Sequence, residues 1–174
     1  MSKAARPFTP LNAAIMTSSD TRTFDNDTSG DLIQKSLETA GHKIVERKIL
    51  ADDIDEVRGL LKRWIDEKDI DLVITTGGTG LTQRDILPEV VEPMFTKNIP
   101  GFGELFRMLS YEEIGTSTIE SRALAGVAEG TLVFCLPGST GACRLGMEKI
   151  ILQQIDAGTK PCNLVALLPR IRNE

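Results

Sequence analysis

The chain contains one histidine, His42, among 174 residues, and only three cysteines. With a single imidazole, a His-ligated zinc centre or a triad built on several histidines loses its support. His42 directly follows Gly41 at a helix end and is expected to be a solvated loop residue. Cys135, Cys143 and Cys162 are odd in number and form no C-x-x-C pair. Zinc ribbons and disulfide frameworks are therefore disfavoured, and a reducing cytoplasm fits. Cys135 lies within an apolar run and is expected to be a buried, inert thiol. No run approaches the roughly 18 apolar residues of a membrane span, and Met1 to Pro10 carries Lys3 and Arg6 without the apolar stretch of a secretory signal. Positive charge is also scarce, with 20 Lys plus Arg against 25 Asp plus Glu, a net charge of -5. Such a field argues against nucleic acid as a partner and requires local donors for any anionic ligand.

The length suits one domain over residues 1–174, with 1–8 as a flexible N-terminal arm. Hydrophobic residues at 41% are enough for an ordinary core. Leu11 to Thr17 reads as a first strand, and Asp27-Thr28-Ser29-Gly30 offers capping chemistry for a helix that Gly41 terminates. Lys43 to Leu50 alternates imperfectly and reads as an outer strand. Asp52-Asp53 opens a helix with an apolar stripe of Ile54, Val57, Leu60, Leu61, Trp64 and Ile65. Leu72 to Thr76 and Thr131 to Leu136 are buried strands. Pro88 falls in the first turn of another helix, Pro100-Gly101 precedes one carrying Phe102, Leu105, Phe106 and Leu109, and a last helix runs through Ile150 and Ile151. Alternating strands and helices, with the central strands apolar on both faces, predict a three-layer αβα fold with a mostly parallel sheet.

Three strands end in small, hydroxylated or glycine residues: Thr17-Ser18-Ser19-Asp20, Gly77-Gly78-Thr79-Gly80 and Pro137-Gly138-Ser139-Thr140-Gly141. In a parallel sheet those ends share one edge, where open α/β sheets bind ligands. Glycines admit close backbone approach, and helix N-termini present N–H donors, so the edge suits a phosphorylated molecule. The same residue types also make ordinary strand-to-helix turns. A P-loop is excluded because no Lys follows either glycine cluster, and Gln83 stands where a dinucleotide fingerprint needs its third glycine. Two carboxylates flank the edge: Asp52 after the second strand and Asp85 five residues beyond Gly80. Both positions suit helix caps, and Thr82 to Asp85 resembles a capping box. Both equally suit Mg²⁺, which takes oxygen ligands beside phosphates.

The ordered set Thr76-Gly77-Gly78-Thr79-Gly80, Arg84-Asp85, Pro100-Gly101-Phe102-Gly103-Glu104, Ser121-Arg122-Ala123 and Pro137-Gly138-Ser139 resembles the MoaB/MogA family of molybdenum cofactor biosynthesis. Asp27 to Gly30 and Gly115 to Thr118 resemble the MoaB branch in particular, and the likeness runs from about residue 9 to 168. The resemblance implies the molybdopterin-binding fold, an oligomer built on trimers (a homotrimer or hexamer), contact with other proteins of cofactor synthesis, and molybdopterin at the glycine-loop edge. For adenylyltransferase members it implies transfer of AMP from Mg-ATP onto the molybdopterin phosphate. By motif, Asp85 and Asp52 match the two catalytic, Mg²⁺-holding aspartates, although Ala51-Asp52 replaces the family's Pro-Asp and leaves Asp53 as a competing match. Ser18, Gly77, Gly78, Thr79, Gly80, Glu104, Ser121, Arg122, Pro137, Gly138 and Ser139 match substrate-binding positions. Arg122 could take phosphate through its fork or be a surface helix arginine. Ser139 differs from the residue of some MogA-like members, so its role stays open. A non-catalytic molybdopterin carrier is the alternative function, and a generic nucleotide-binding regulator ranks below both.

Overall fold

In the computed structural model, which describes residues 8–172, three apolar strands define the centre. Asn12–Ser18 (β1), Leu72–Thr76 (β3) and Thr131–Leu136 (β6) are buried at nearly every position. A strand turns successive side chains to opposite faces, so segments apolar throughout are buried only between two layers. They pair in parallel, with Thr17 opposite Thr76 and Thr76 opposite Leu136. Lys43–Leu50 (β2) adds in parallel to the outer side of β1, and its half-exposed pattern is that of the expected edge strand. Beyond β6 the sheet departs from the sequence reading. Leu124–Ala128 (β5) returns antiparallel to β6, and Lys97–Asn98 (β4) pairs antiparallel with β5, completing the order β2-β1-β3-β6-β5-β4.

Helices cover both faces. Thr28–Thr39 (α1) starts at Asp27, whose carboxylate accepts the Gly30 N–H, and Ile54–Asp66 (α2) starts at Asp53, which accepts from Asp55 and Glu56. Leu87–Val91 (α3) has Pro88 in its first turn. Pro100–Ile114 (α4) begins at its proline, which opens the helix and does not merely precede it, because an N1 proline lacks only an N–H that would have no partner there. Thr140–Gly146 (α5) passes through a π-helical turn over Met147–Ile151 into Leu152–Gln154 (α6), and Leu168–Ile171 (α7) follows. Ile15, Ile74 and Phe134 pack against α1, α4 and α5, while Met16, Val73 and Cys135 face α2 and α3. Trp64 fills the second core completely and donates its indole N–H to Glu46 at 2.7 Å. The expected three-layer α/β architecture is thus present. Among the described residues, no helix is long and apolar enough to cross a membrane.

Cys135 is buried as expected, and desolvation pushes its thiol up to about 12. His42 corrects the expectation of a solvated loop residue. It is only 6% exposed, and its Nδ1 accepts the Leu11 N–H at 3.1 Å, tying the start of β2 to the approach to β1. The arm expected over 1–8 lies outside the described residues except for Phe8, whose ring sits 5.3 Å from the imidazole. Burial holds the His42 pKa below its ordinary value, with Asp156 opposing. Protonation would also cost the Leu11 hydrogen bond. A depressed histidine pKa means that the unfolded chain binds the proton first, so stability falls as pH drops below about 6.5 and levels off below the folded pKa. Thermal melts from pH 8 to 5 should show this loss in the native chain, and His42→Gln should flatten the slope in that window.

Candidate functional site

The carboxyl ends of β1, β3 and β6 meet as the sequence predicts, and the meeting depends on Gly77. Its N–H donates to the Leu136 carbonyl at 3.1 Å, its φ is +91°, and a methyl group there would overlap the Ser18 carbonyl oxygen. Only glycine satisfies both conditions. Gly138 lies against the other side, where an added Cβ would come 3.2 Å from the Gly77 Cα. Thr76 Oγ1 donates to the Pro137 carbonyl at 2.9 Å, closing the second and third loops together. The carbonyl of Gly78, also at positive φ, accepts the Leu87 N–H at 2.9 Å and so fixes the return of the loop into α3.

The two aspartates stand on either side of this loop, and neither caps a helix. Asp53 caps α2, and Ile86 precedes α3 without any side-chain cap. Asp52 Oδ1 accepts the Ser18 hydroxyl at 2.5 Å and would lie 3.4 Å from a Cβ at Gly78. Asp53, with Oδ1 committed to two helix N–H groups, is turned to capping instead. Asp85 Oδ2 accepts both the Thr82 N–H at 2.9 Å and the Thr82 hydroxyl at 2.6 Å, and would lie 2.8 Å from a Cβ at Gly80. The Thr82 hydroxyl, with help from backbone N–H groups and Arg122, holds the Asp85 carboxyl below the usual range against the opposing effect of burial. It is a carboxylate at neutral pH.

Two arginines hold these pieces in place. Arg122 lies in the extended stretch before β5, not on a surface helix. Its Nε donates to the Gly80 carbonyl at 2.8 Å, its Nη2 to the Asp85 carbonyl at 3.0 Å, and its Nη1 pairs with Glu89. The fork that could grip a phosphate is engaged by the glycine loop itself. Arg84 forms a bidentate pair with Asp20, and Asp20 Oδ1 accepts the Asp52 N–H at 3.1 Å. Asp20 thereby links the β1 end, the Asp52 segment and the Arg84-Asp85 turn. No chemical signal in the sequence marked it; only closure of three chain segments gives it partners.

A second missed group lies behind the first loop. Asp27, 1% exposed, accepts from Thr17 Oγ1 at 2.7 Å and pairs with Arg47 at 2.8 Å. Burial raises its pKa, but the Thr17, Arg47 and Gly30 donors outweigh that and lower it overall. Ser29 donates to the Gly138 carbonyl, and Thr28 and Thr140 hydroxyls meet at 2.8 Å, so the N-termini of α1 and α5 adjoin at the edge. Ser139, whose role the sequence leaves open, caps α5 by accepting the Ala142 N–H. Ser121 Oγ accepts the Ala123 N–H, and Thr79 is buried in the loop. Glu104 is not brought to the loop by any hydrogen bond among the described residues; it lies exposed on α4, in a groove of about 160 Å³ beside Asn98 and Arg107.

Comparison with known proteins identifies the family of the chain. Residues 14–157 match the family described as "Probable molybdopterin binding domain". The chain is 48% identical over 163 residues to molybdenum cofactor biosynthesis protein B of Escherichia coli (strain K12), covering 94% of this chain and 96% of that protein. It is 46% identical to the protein of that name from Halalkalibacterium halodurans, over 83% and 86% of the two chains. A crystal structure of a molybdenum cofactor biosynthesis protein B superposes with a TM-score of 0.86 at 39% identity, covering 97% of this chain and all of that one. The tungsten cofactor synthesizing protein MoaB from Pyrococcus furiosus gives 0.78 at 36% identity, over 94% and 98%. The strand-edge loops fall within the matched span, and the chain belongs to the molybdopterin-binding family of the molybdenum cofactor biosynthesis proteins B.

Proposed function

We propose that the chain acts in molybdenum cofactor biosynthesis in the cytoplasm, binding molybdopterin at the glycine-loop edge and adenylylating it with ATP. The observation that carries this reading is the placement of Asp52 and Asp85 at the two ends of Gly78–Gly80. Among the described residues, no three His, Cys, Asp or Glu side chains converge as a metal cage. Two carboxylates are the donor set that suits Mg²⁺, which completes its shell with water and substrate phosphates. Asp52 and Asp85 would hold that ion, and when bound it would supply neutralising charge to the phosphates. In the transfer, an oxygen of the molybdopterin phosphate attacks the ATP α-phosphorus in line. The new P–O bond forms as the bond to the β-phosphate oxygen breaks, and pyrophosphate leaves without a proton transfer.

The chain's contribution is positioning. Backbone N–H groups of the loop not already engaged, held by Gly77 and Gly78, would donate to phosphate oxygens in a chain whose net charge repels them. Ser18 and Thr82 orient the two carboxylates. Arg122 shapes the loop through its carbonyls and acts as a positioning residue, not as a phosphate ligand.

Asp85→Asn keeps an oxygen for Thr82 but removes the charge. Purified Asp85→Asn and Asp52→Asn variants should still bind molybdopterin, with adenylyl transfer slowed about a hundredfold or more, and the double variant should lose less than the sum. Full turnover by Asp85→Asn, with pterin binding retained, would promote the non-catalytic carrier reading.

Arg122→Lys keeps the cation but cannot span both carbonyls. It should lower kcat by up to about 100-fold through misplacement, with the molybdopterin Kd nearly unchanged. A Kd rise with kcat spared would instead make Arg122 a direct phosphate ligand.

Assembly as a trimer, or a hexamer of paired trimers, is the further expectation. Leu105, Met108, Tyr111 and Ile114 recur every third residue along α4, and Ile119 follows at 81% exposure, an apolar stripe suited to subunit contact. Sedimentation at micromolar concentration should give a multiple of three subunits, and Met108→Glu with Ile119→Glu should shift it to monomer.

A further inference from the structure

A concave site of about 770 Å³ lies at the other end of the sheet, by the starts of β6 and β4. Among the described residues, four cations line it, Lys68, Lys97, Arg170 and Arg172, against one carboxylate, Glu129. In a chain of net charge -5 this is a local reversal of sign. Arg172 is structural: its Nε donates to the Gly130 carbonyl at 3.0 Å and its Nη1 pairs with Asp71 at 2.7 Å, pinning the β5–β6 turn. Thr131 and Thr96 hydroxyls are likewise tied to the Ile70 and Val127 carbonyls. The walls are therefore fixed, while Lys68, Lys97 and Arg170 have no ion-pair or hydrogen-bond partner among the described residues. Glu129 sits at the tip of the turn with φ +46°, a left-handed conformation that favours glycine, asparagine or aspartate. The two-residue turn requires positive φ at both Glu129 and Gly130, and it sets the Glu129 carboxylate at the rim of the basic hollow.

We infer that this hollow is a second ligand site, distinct from the glycine-loop edge, for a nucleoside diphosphate. Lys68, Lys97 and Arg170 supply charge for two phosphate groups. Ile65, Val127 and Leu167 supply an apolar wall for a ring, and Glu129 accepts from an N–H edge. The volume lies within the range of small-molecule sites.

The test is amide NMR of the isotope-labelled full chain, titrated with guanosine diphosphate, whose ring presents two N–H donors to a carboxylate, and separately with pyrophosphate. Guanosine diphosphate should shift Gly130, Thr131 and Lys97 in a saturable manner, whatever occurs at Gly78 and Gly80. Lys97→Glu with Arg170→Glu should abolish those shifts and leave any at Gly78 and Gly80 in place. Lys97→Gln with Arg170→Gln gives the same reading should the reversed pair disturb the fold. Glu129→Gln should weaken guanosine diphosphate about tenfold while tightening pyrophosphate. Shifts confined to Gly78 and Gly80, or shifts at Gly130 that survive removal of the cations, would overturn the site. Equal effects of Glu129→Gln on both probes would overturn the nucleoside assignment.

Discussion

The close approach of the Gly77 backbone to the Ser18 carbonyl is the constraint from which the rest of the site follows. Parallel pairing of β1, β3 and β6 brings three strand ends to one edge, where their last polar groups need partners. Gly77 answers Leu136 on one side and leaves no side chain against Ser18 on the other. The chain can then turn within a few residues, and Gly78 and Gly80 pass close to Asp52 and Asp85. A bulkier residue at 77 would separate β1 from β3 and the two carboxylates with them. The catalytic geometry proposed above is in this sense a property of strand packing before it is a property of any side chain.

Charge at the edge is arranged so that its cations are spent internally. Arg122 is held by carbonyls and Glu89, Arg84 by both oxygens of Asp20, and Arg47 by Asp27 and Asp31. Around them stand the carboxylates of Asp20, Asp52, Asp53 and Asp85. These three guanidinium groups are engaged, so the proposed anionic ligand would rely on backbone N–H groups, hydroxyls and a dication shared with it. That is a physical reason for two acids to lie beside a phosphate cradle. Without the ion they would repel the ligand; with it they would orient charge toward the transition state.

Strands apolar on both faces and the small-residue loops were enough to read the sheet's parallel half, and with it the edge where three loops meet. Asp52 and Asp85 were legible by position, but their local role stayed open between cap and metal ligand, since a carboxylate before a helix is most often a cap. Here Asp53 takes the cap beside Asp52, and Thr82 takes the oxygen of Asp85 that a cap would use. Asp20, Arg84 and the Arg122 clamp were hidden for another reason. Their partners are 32 to 64 residues distant in the chain, and no local pattern specifies a pairing across such separations. β4 and β5 escaped because one is two residues long and the other, rich in Ala and Gly, carries little of the β-branched signal. His42 was misjudged because the residue after a helix-ending glycine is usually solvated, whereas this one is folded under the β1 approach to accept the Leu11 N–H.

The two proposed sites would meet anions by opposite means. At the carboxyl edge the proposed donors are main-chain N–H groups at adjoining helix starts, fixed in place by packing and little affected by salt at short range. At the amino end they are exposed lysine and arginine side chains over a rigid wall, long-ranged and readily screened. A ligand held in the first manner is bound by geometry and released only when the loop or its metal partner changes. A ligand held in the second exchanges quickly and responds to ionic strength. Chemistry on a phosphate requires the former, because reacting atoms must be held to within about an ångström. The latter suits a molecule whose concentration is to be sensed. The asymmetry follows directly from a parallel sheet, whose helix N-termini all gather at one edge and leave the other to whatever charges the turns provide.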